Sequence, residues 1–322
     1  MKSSGQWEIT PYTSSCKAEW DAFVRTSRNG TFLFMRDYMD YHADRFRDCS
    51  LMARYGGKLH ALLPAHLSGK RFCSHKGLTY GGVVTDDKMT ASLMLSLFDQ
   101  VICYLRTIGV ETWVYAPVPY IYARYPSEED LYALFRHGAC LSERKISTVI
   151  PSDCGKPFST LRKRKVKHAR ACGLTVRQSD DFVGFWSILE DNLKQRHQAS
   201  PVHSLDEIRL LHQRFPSQIL LYVVTDSQGG LLAGTVLYLT EKVVHVQYIG
   251  STPEGRELGA VDLLFDHLIH HVYQGVPYFD MGTSVEDGGR WLNEGLIFQK
   301  EGFGGRAVVY DTYEFEIRTN KG

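Results

Sequence analysis

The feature that most constrains this chain is an order of elements that it runs through twice. In the first pass Leu51-Met-Ala-Arg-Tyr55 and Leu59-His-Ala-Leu-Leu-Pro-Ala-His66 read as strands around Gly56-Gly57, and a third apolar run ends in Tyr80-Gly-Gly-Val-Val-Thr85. Residues 91–105 are apolar at helical spacing, close at Gly109 and hand over to a strand over 110–116. The second pass opens with Ile219-Leu-Leu-Tyr-Val-Val-Thr225, turns at Gly229-Gly230 and returns over 231–239. A third strand over 243–250 ends in Tyr248-Ile-Gly250, 260–272 is the helix, Gly275 closes it, and 276–281 is the next strand. Three antiparallel strands, a helix and a parallel strand, occurring twice, predict α/β (α+β) domains in tandem, each a mixed, mostly antiparallel sheet flanked by helices.

Helical stretches precede each pass, over 20–24 and 37–46 for the first and over 182–196 and 204–214 for the second, the last with Ser204 and Glu207 as a capping box. Between the passes, Pro151-Ser-Asp-Cys-Gly-Lys-Pro157 has linker composition, so the expected domains are 1–152 and 158–322. A length of 322 residues suits two domains of about 150 each. Hydrophobic residues at 43% and a net charge of +1 exclude bulk disorder and leave net charge uninformative about partners.

The start lacks a signal-type apolar stretch, and no window reaches the roughly 18 apolar residues of a membrane span, so a cytoplasmic protein is expected. The seven cysteines are scattered with no C-x-x-C, which argues against a disulfide framework and a thiolate zinc site. His267, His270 and His271 share a helix without the Glu of H-E-x-x-H, so no metal is expected. Neither a G-x-S-x-G elbow nor a P-loop occurs, which removes the serine hydrolase and P-loop classes.

Two stretches carry a family likeness. Leu161-Arg-Lys-Arg-Lys-Val-Lys-His-Ala-Arg-Ala-Cys-Gly-Leu174 is a basic helix ending in A-x-x-x-G-L. Further on come Gly259-Ala260, Phe279-Asp-Met-Gly-Thr-Ser284, Gly295-Leu-Ile-Phe-Gln-Lys300 and Phe303-Gly-Gly305. With the repeated element order, these resemble the GNAT acyltransferases, and in tandem the Fem peptidyltransferases and their acetyltransferase-like relatives. The last pattern is similar to the family's G-L-x-x-F-K-x-x-F-G, with Gln299 where an aromatic usually precedes the lysine. The resemblance implies an N-acyltransferase with acyl-CoA as co-substrate, no permanently bound cofactor, and an amine acceptor such as an amino sugar, sugar nucleotide or cell-envelope precursor. An aminoacyl-tRNA donor is the alternative, and the chain lacks the long helical-hairpin insertion of some Fem enzymes. A non-catalytic binding protein on the same scaffold is the reading from another class.

Acyl transfer to an amine needs a deprotonated nucleophile, an aligned donor and positive charge where the oxyanion develops. By resemblance Lys300 matches the family lysine near the reacting acyl group; otherwise it is a surface lysine before a strand. Asp280 ends an apolar strand at the carboxyl edge of a sheet, where it either takes a proton from the amine or braces the Gly282-Thr-Ser284 turn.

Gly255-Arg-Glu-Leu-Gly-Ala260 lies where GNAT proteins bind the pyrophosphate of coenzyme A. A helix N-terminus with Gly255, Arg256, Gly259 and Ala260 suits an anion, although Val261 replaces the last small residue of the usual motif. The first pass has Thr85-Asp-Asp-Lys-Met89 there, so the acceptor side is assigned to domain one. Six of the nine residues from Arg162 to Arg170 are basic. Among them Arg164, Lys167 and Arg170 are candidates for phosphates of a nucleotide sugar or tRNA, or else form a solvated face. Tyr80 and Tyr248, at the ends of the third strands, are candidate substrate contacts.

Overall fold

The structure is a computed structural model that describes residues 6–197 and 200–317; the opening residues 1–5 lie outside the described residues. It contains two compact units. One comprises the chain up to Lys145, Asp287–Trp291 and the residues from Val309 onward; the other comprises Ile146–Glu286 and Leu292–Val308. Neither unit is one contiguous half, in contrast to the expected 1–152 and 158–322. The physical reason is that two long strands, Cys140–Pro151 and Arg306–Glu316, each divide their residues between the units.

In the first unit, β1 (Trp7–Pro11) leads to helices α1 (Lys17–Thr26) and α2 (Arg36–Met39) and the two-residue β2 (Arg47–Asp48). The helix expected over 37–46 is thus one short turn extended by the 3-10 segment Asp40–His42. Strands β3 (Leu51–Tyr55) and β4 (Lys58–Leu63) pair antiparallel around Gly56 and Gly57, both at positive φ. Pro64 then ends the ladder, because it has no N–H to give. The chain continues in a second sheet as β5 (Ala65–Ser68) and β6 (Arg71–Ser74), so the single strand expected over 59–66 is two, and β6 was not anticipated.

The expected third strand shrinks to β7 (Val84–Thr85) after Gly82 at φ 81°. Helix α3 (Ala91–Thr107), capped by Thr90, runs as the periodicity requires and is followed at Gly109 by a left-handed turn and then β8 (Thr112–Tyr115), parallel to β6. Helix α4 (Glu129–Arg136) and the strand segment Val309–Glu316 complete the unit. Trp113 is its packing centre, with Phe72, Phe98, Tyr115 and Phe315 rings within 6 Å of its own.

The second unit follows the expected order closely. After β9 (Cys140–Pro151) come the basic helix α5 (Thr160–Ala171), β10 (Thr175–Ser179), α6 (Phe182–His197) and α7 (Leu205–Arg214), whose Ser204–Glu207 capping box is present. Strands β11 (Ile219–Thr225), β12 (Leu231–Leu239) and β13 (Val243–Ser251) are antiparallel neighbours. A short helix α8 (Pro253–Leu258), then α9 (Ala260–His267) with a wider helical turn to Val272, leads to β14 (Tyr278–Thr283), which lies parallel to β13. Two-residue strands β15 (Val285–Glu286) and β16 (Trp291–Leu292), helix α10 (Glu294–Glu301) and the long β17 (Arg306–Glu316) follow. The core beneath the sheet gathers Val166 and Ala169 of α5, Leu264 and Phe265 of α9, and Phe158, Phe279 and Phe303, the last of these just past α10. Among the described residues, no helix is long and apolar enough to cross a membrane.

Candidate active site

The site begins where two parallel strands part. β14 pairs with β13 over only three residues, Val243↔Tyr278, Val244↔Phe279 and His245↔Asp280. Past that point each strand is bent. On β13 the register against β12 jumps from Leu237↔Val246 to Val236↔Tyr248, leaving Gln247 as the extra residue of a bulge. On β14, Gly282 at φ 76° turns the chain in a way that a side chain resists. Between the diverging strands lies a cavity of about 300 Å³, walled by Val246, Ile249 and Gly250 of β13, Met281 of β14, and residues of α5, α9 and α10.

Asp280 pins the fork. It is fully buried. Its Oδ2 accepts a bond from His245 Nδ1 at 2.8 Å, its Oδ1 accepts from Gly282 N at 2.9 Å, and Ser147 Oγ on β9 also donates to it. One carboxylate thus ties three backbone segments together at the last paired position of the two strands. Such a buried acid is held in place by its donors, because leaving it without them would be costly.

Lys300 comes from α10, whose N-terminus is capped by Asn293 through a bond from Leu296 N. The lysine is 7% exposed and lines the cavity. Its Nζ donates to the carbonyl oxygens of Gly282 and Thr283, each at 2.8 Å. Burial pulls its ammonium down to about 8, with the charge of Asp280 acting in the opposite sense. An ammonium has three N–H groups, so two carbonyls leave one donor for a ligand.

Further cationic groups gather around the same cavity. Lys165 Nζ donates to the Arg256 carbonyl at 2.9 Å, and Arg256 Nη1 donates to the Ser251 carbonyl at 2.8 Å. The buried Arg162 guanidinium meets Asp262 Oδ1 at 2.8 Å and lies over the Phe303 ring. Burial raises the Asp262 pKa while Arg162 opposes the rise.

The segment expected as a glycine-rich anion loop is mostly helical. Thr252 caps α8 by accepting from Gly255 N, and Gly259 at φ 80° separates α8 from α9, on which Ala260 is the first residue. A Cβ at Gly255 would come within 2.3 Å of the Leu232 carbonyl oxygen, and one at Gly259 within 2.9 Å of the Lys165 carbonyl oxygen. Both glycines therefore permit close backbone packing, which draws α8 onto β12 and α5 onto the α8–α9 junction.

The structure brings Lys300, Gly255 and Arg256 to one cavity, with Asp280 beside it holding the strands. Gly259 and Ala260 shape the helix junction next to it. On α5, Arg164 and Lys167 are exposed, and Arg170 pairs with Asp266. The α5 residues that line this cavity are Arg162 and Lys165, which the sequence reading did not single out, together with Asp262 of α9. The signal was present, since Val166 and Ala169 mark the inward face to which Arg162 belongs. Tyr248 is bonded to His203 Nδ1 beside Trp186, while Tyr80 is a buried residue of the first unit whose hydroxyl donates to Thr31 Oγ1 at 3.1 Å.

Comparison with known proteins bears on the fold and on the domain that holds this cavity. Residues 159–288 match the family described as acetyltransferase (GNAT) domain. No curated protein sequence matches the chain. Solved structures of similar fold include that of FemX, 13% identical, covering 96% of this chain and 97% of that one with a TM-score of 0.69. A tandem GNAT protein from the clavulanic acid biosynthesis pathway is 11% identical, with coverage of 98% and 100% and a TM-score of 0.56. A conserved protein from Bacteroides thetaiotaomicron VPI-5482 is 12% identical, with coverage of 97% and 100% and a TM-score of 0.61. The fold is therefore the tandem-GNAT, Fem-like one, and the protein is an acyltransferase by class. Its second unit carries the acetyltransferase (GNAT) domain.

Proposed function

We propose that the second unit binds an acyl-CoA thioester in the cleft between β13 and β14 and transfers its acyl group to the amine of a small acceptor, such as an amino sugar or a cell-envelope precursor. The observation that carries this reading is the parting of the two strands beside a buried lysine, within a cavity that combines apolar walls with Arg256 and Lys165. The amide-bearing arm of the coenzyme matches unpaired strand edges, its phosphates match the cationic rim, and the thioester carbonyl matches the third N–H of Lys300.

In the reaction the neutral acceptor amine attacks the thioester carbon. Charge gathers on the carbonyl oxygen near Lys300, the C–S bond breaks, and the proton lost by the amine leaves with the thiol. Asp280 is a positioning residue in this scheme: its donors hold the fork open, and no separate role as proton acceptor is assigned to it. The second reading, an aminoacyl-tRNA donor, is favoured by one observation, the exposed Arg164 and Lys167 on α5.

Thermal unfolding with coenzyme A, acetyl-CoA, longer acyl-CoA esters and aminoacylated tRNA, each at two salt concentrations, separates the two. Saturable stabilisation of about 2 kcal/mol or more by a coenzyme A ester supports the first reading. Salt-sensitive tRNA binding with no shift from any ester replaces it with the second.

A further inference from the structure

The first unit holds a cavity of its own, about 950 Å³, that the acyl-transfer scheme does not use. It lies by the C-terminal end of α3, roughly 25 Å of helix away from the α3 N-terminus that corresponds to the coenzyme side of the second unit. Arg106 from the last turn of α3 and Arg136 from the last turn of α4 both line it. Carbonyl-bearing helix ends are favourable places for cations.

The pairing pattern leaves these two arginines available. Arg71 in the same wall is matched by Glu314 at 2.8 Å, and His137 by Asp99 at 3.5 Å. Arg136, in contrast, bonds the Tyr132 hydroxyl at 3.3 Å and lies over its ring. Arg106 has its Nε sequestered from solvent with no hydrogen-bond partner among the described residues. Neither is joined to a carboxylate among those residues; of the carboxylates that also line the cavity, Glu314 is matched by Arg71, and Asp99 and Glu316 share the wall with them.

We infer that this cavity is a binding site for a phosphate-bearing small molecule, with the phosphate gripped by Arg106 and Arg136 and the remainder resting on Ile102 and Phe315. Two guanidinium forks suit a dianionic phosphate through paired N–H···O bonds. The volume suits a ligand of sugar-phosphate to nucleotide size. The site is independent of the donor cavity, so it stands whether or not coenzyme A binds the second unit.

The test is isothermal titration of the full chain with inorganic pyrophosphate at fixed ionic strength, with succinate as the carboxylate comparison. Saturable pyrophosphate binding is expected. Arg106→Gln and Arg136→Gln should each weaken it by at least about tenfold, as loss of a charge-assisted donor implies. The double variant Lys165→Gln, Arg256→Gln removes whatever pyrophosphate the cationic rim of the donor cavity holds, and the binding that depends on Arg106 and Arg136 should persist in it. Arg136 is exposed, so Arg136→Gln carries the test should Arg106→Gln not fold. No saturable binding, succinate binding as tight as pyrophosphate, or loss confined to the second-unit double variant would each overturn the proposal.

Discussion

Replacing Lys300 by Met keeps the unbranched stem up to the ε position and removes the ammonium with its charge. Two effects follow from the geometry. The Gly282 and Thr283 carbonyls each lose a donor at 2.8 Å; Gly282 is half-buried and Thr283 exposed, so water can replace part of what is lost and the stability cost should be about 1 kcal/mol. If the ammonium also holds the developing oxyanion, its loss lowers kcat by about 10²–10³, or roughly 2.7–4 kcal/mol of barrier. The pH profile distinguishes that role from general packing. With its pKa near 8, Lys300 at neutral pH is about ten parts ammonium to one part amine. As the charged form is the active one, kcat at saturating acceptor should fall about tenfold per pH unit above 8, and the Lys300→Met variant should lack that limb. The assay is release of free thiol from acetyl-CoA with a panel of amine acceptors, run beside urea unfolding to confirm the fold. A variant with kcat within about threefold of the parent, or a parent profile that rises through pH 8 and then levels, would refute the oxyanion role.

Asp262→Asn leaves the buried Arg162 guanidinium without its countercharge, and a loss of about 3–5 kcal/mol in urea-derived stability is expected, against little change when both are replaced by apolar residues of similar size. Gly255→Ala forces a Cβ to within 2.3 Å of the Leu232 carbonyl, so about 1–3 kcal/mol of destabilisation should appear in the same assay. Burial lowers His66 to about 4 and His75 to about 3 in the first unit. The unfolded chain then takes up protons below about pH 6.5 that the folded chain refuses, so stability falls as pH falls. A loss of about 2–4 kcal/mol between about pH 7 and about pH 5 is expected in urea titrations, and His75→Phe should flatten part of it.

The centre of the second unit was legible because β11, β12 and β13 are long, largely apolar runs and glycines mark the β11–β12 turn and the end of the helix before β14, so local pattern and final pairing agree. The first unit was harder. Pro64 sends one apolar run into two sheets, and Tyr80-Gly-Gly gives way to a turn before the short β7. Lys300 was found through its motif, but its burial was not, since a lysine in a short helix reads as surface until the floor beneath it is known. Arg162 was hidden by its own basic neighbours: a run of charges obscures the inward face, which only Val166 and Ala169 reveal. Asp280 sat at a strand end with two readings open. Its three donors come from residues as distant in sequence as Ser147, which no local pattern joins to it.

The distribution of β17 between the units bears on how the protein is made. Tyr313↔Tyr115 and Phe315↔Trp113 are neighbours in the ladder that β17 forms with β8 of the first unit. A chain emerging from the ribosome therefore presents β8 and its Trp113 centre long before the strand that covers that edge has been synthesised. The second unit, by contrast, has nearly all its residues in hand by Val308. During translation the later-coded unit is thus able to finish first, while the earlier-coded one waits with an exposed strand edge, the stage at which chaperone dependence and premature association are greatest.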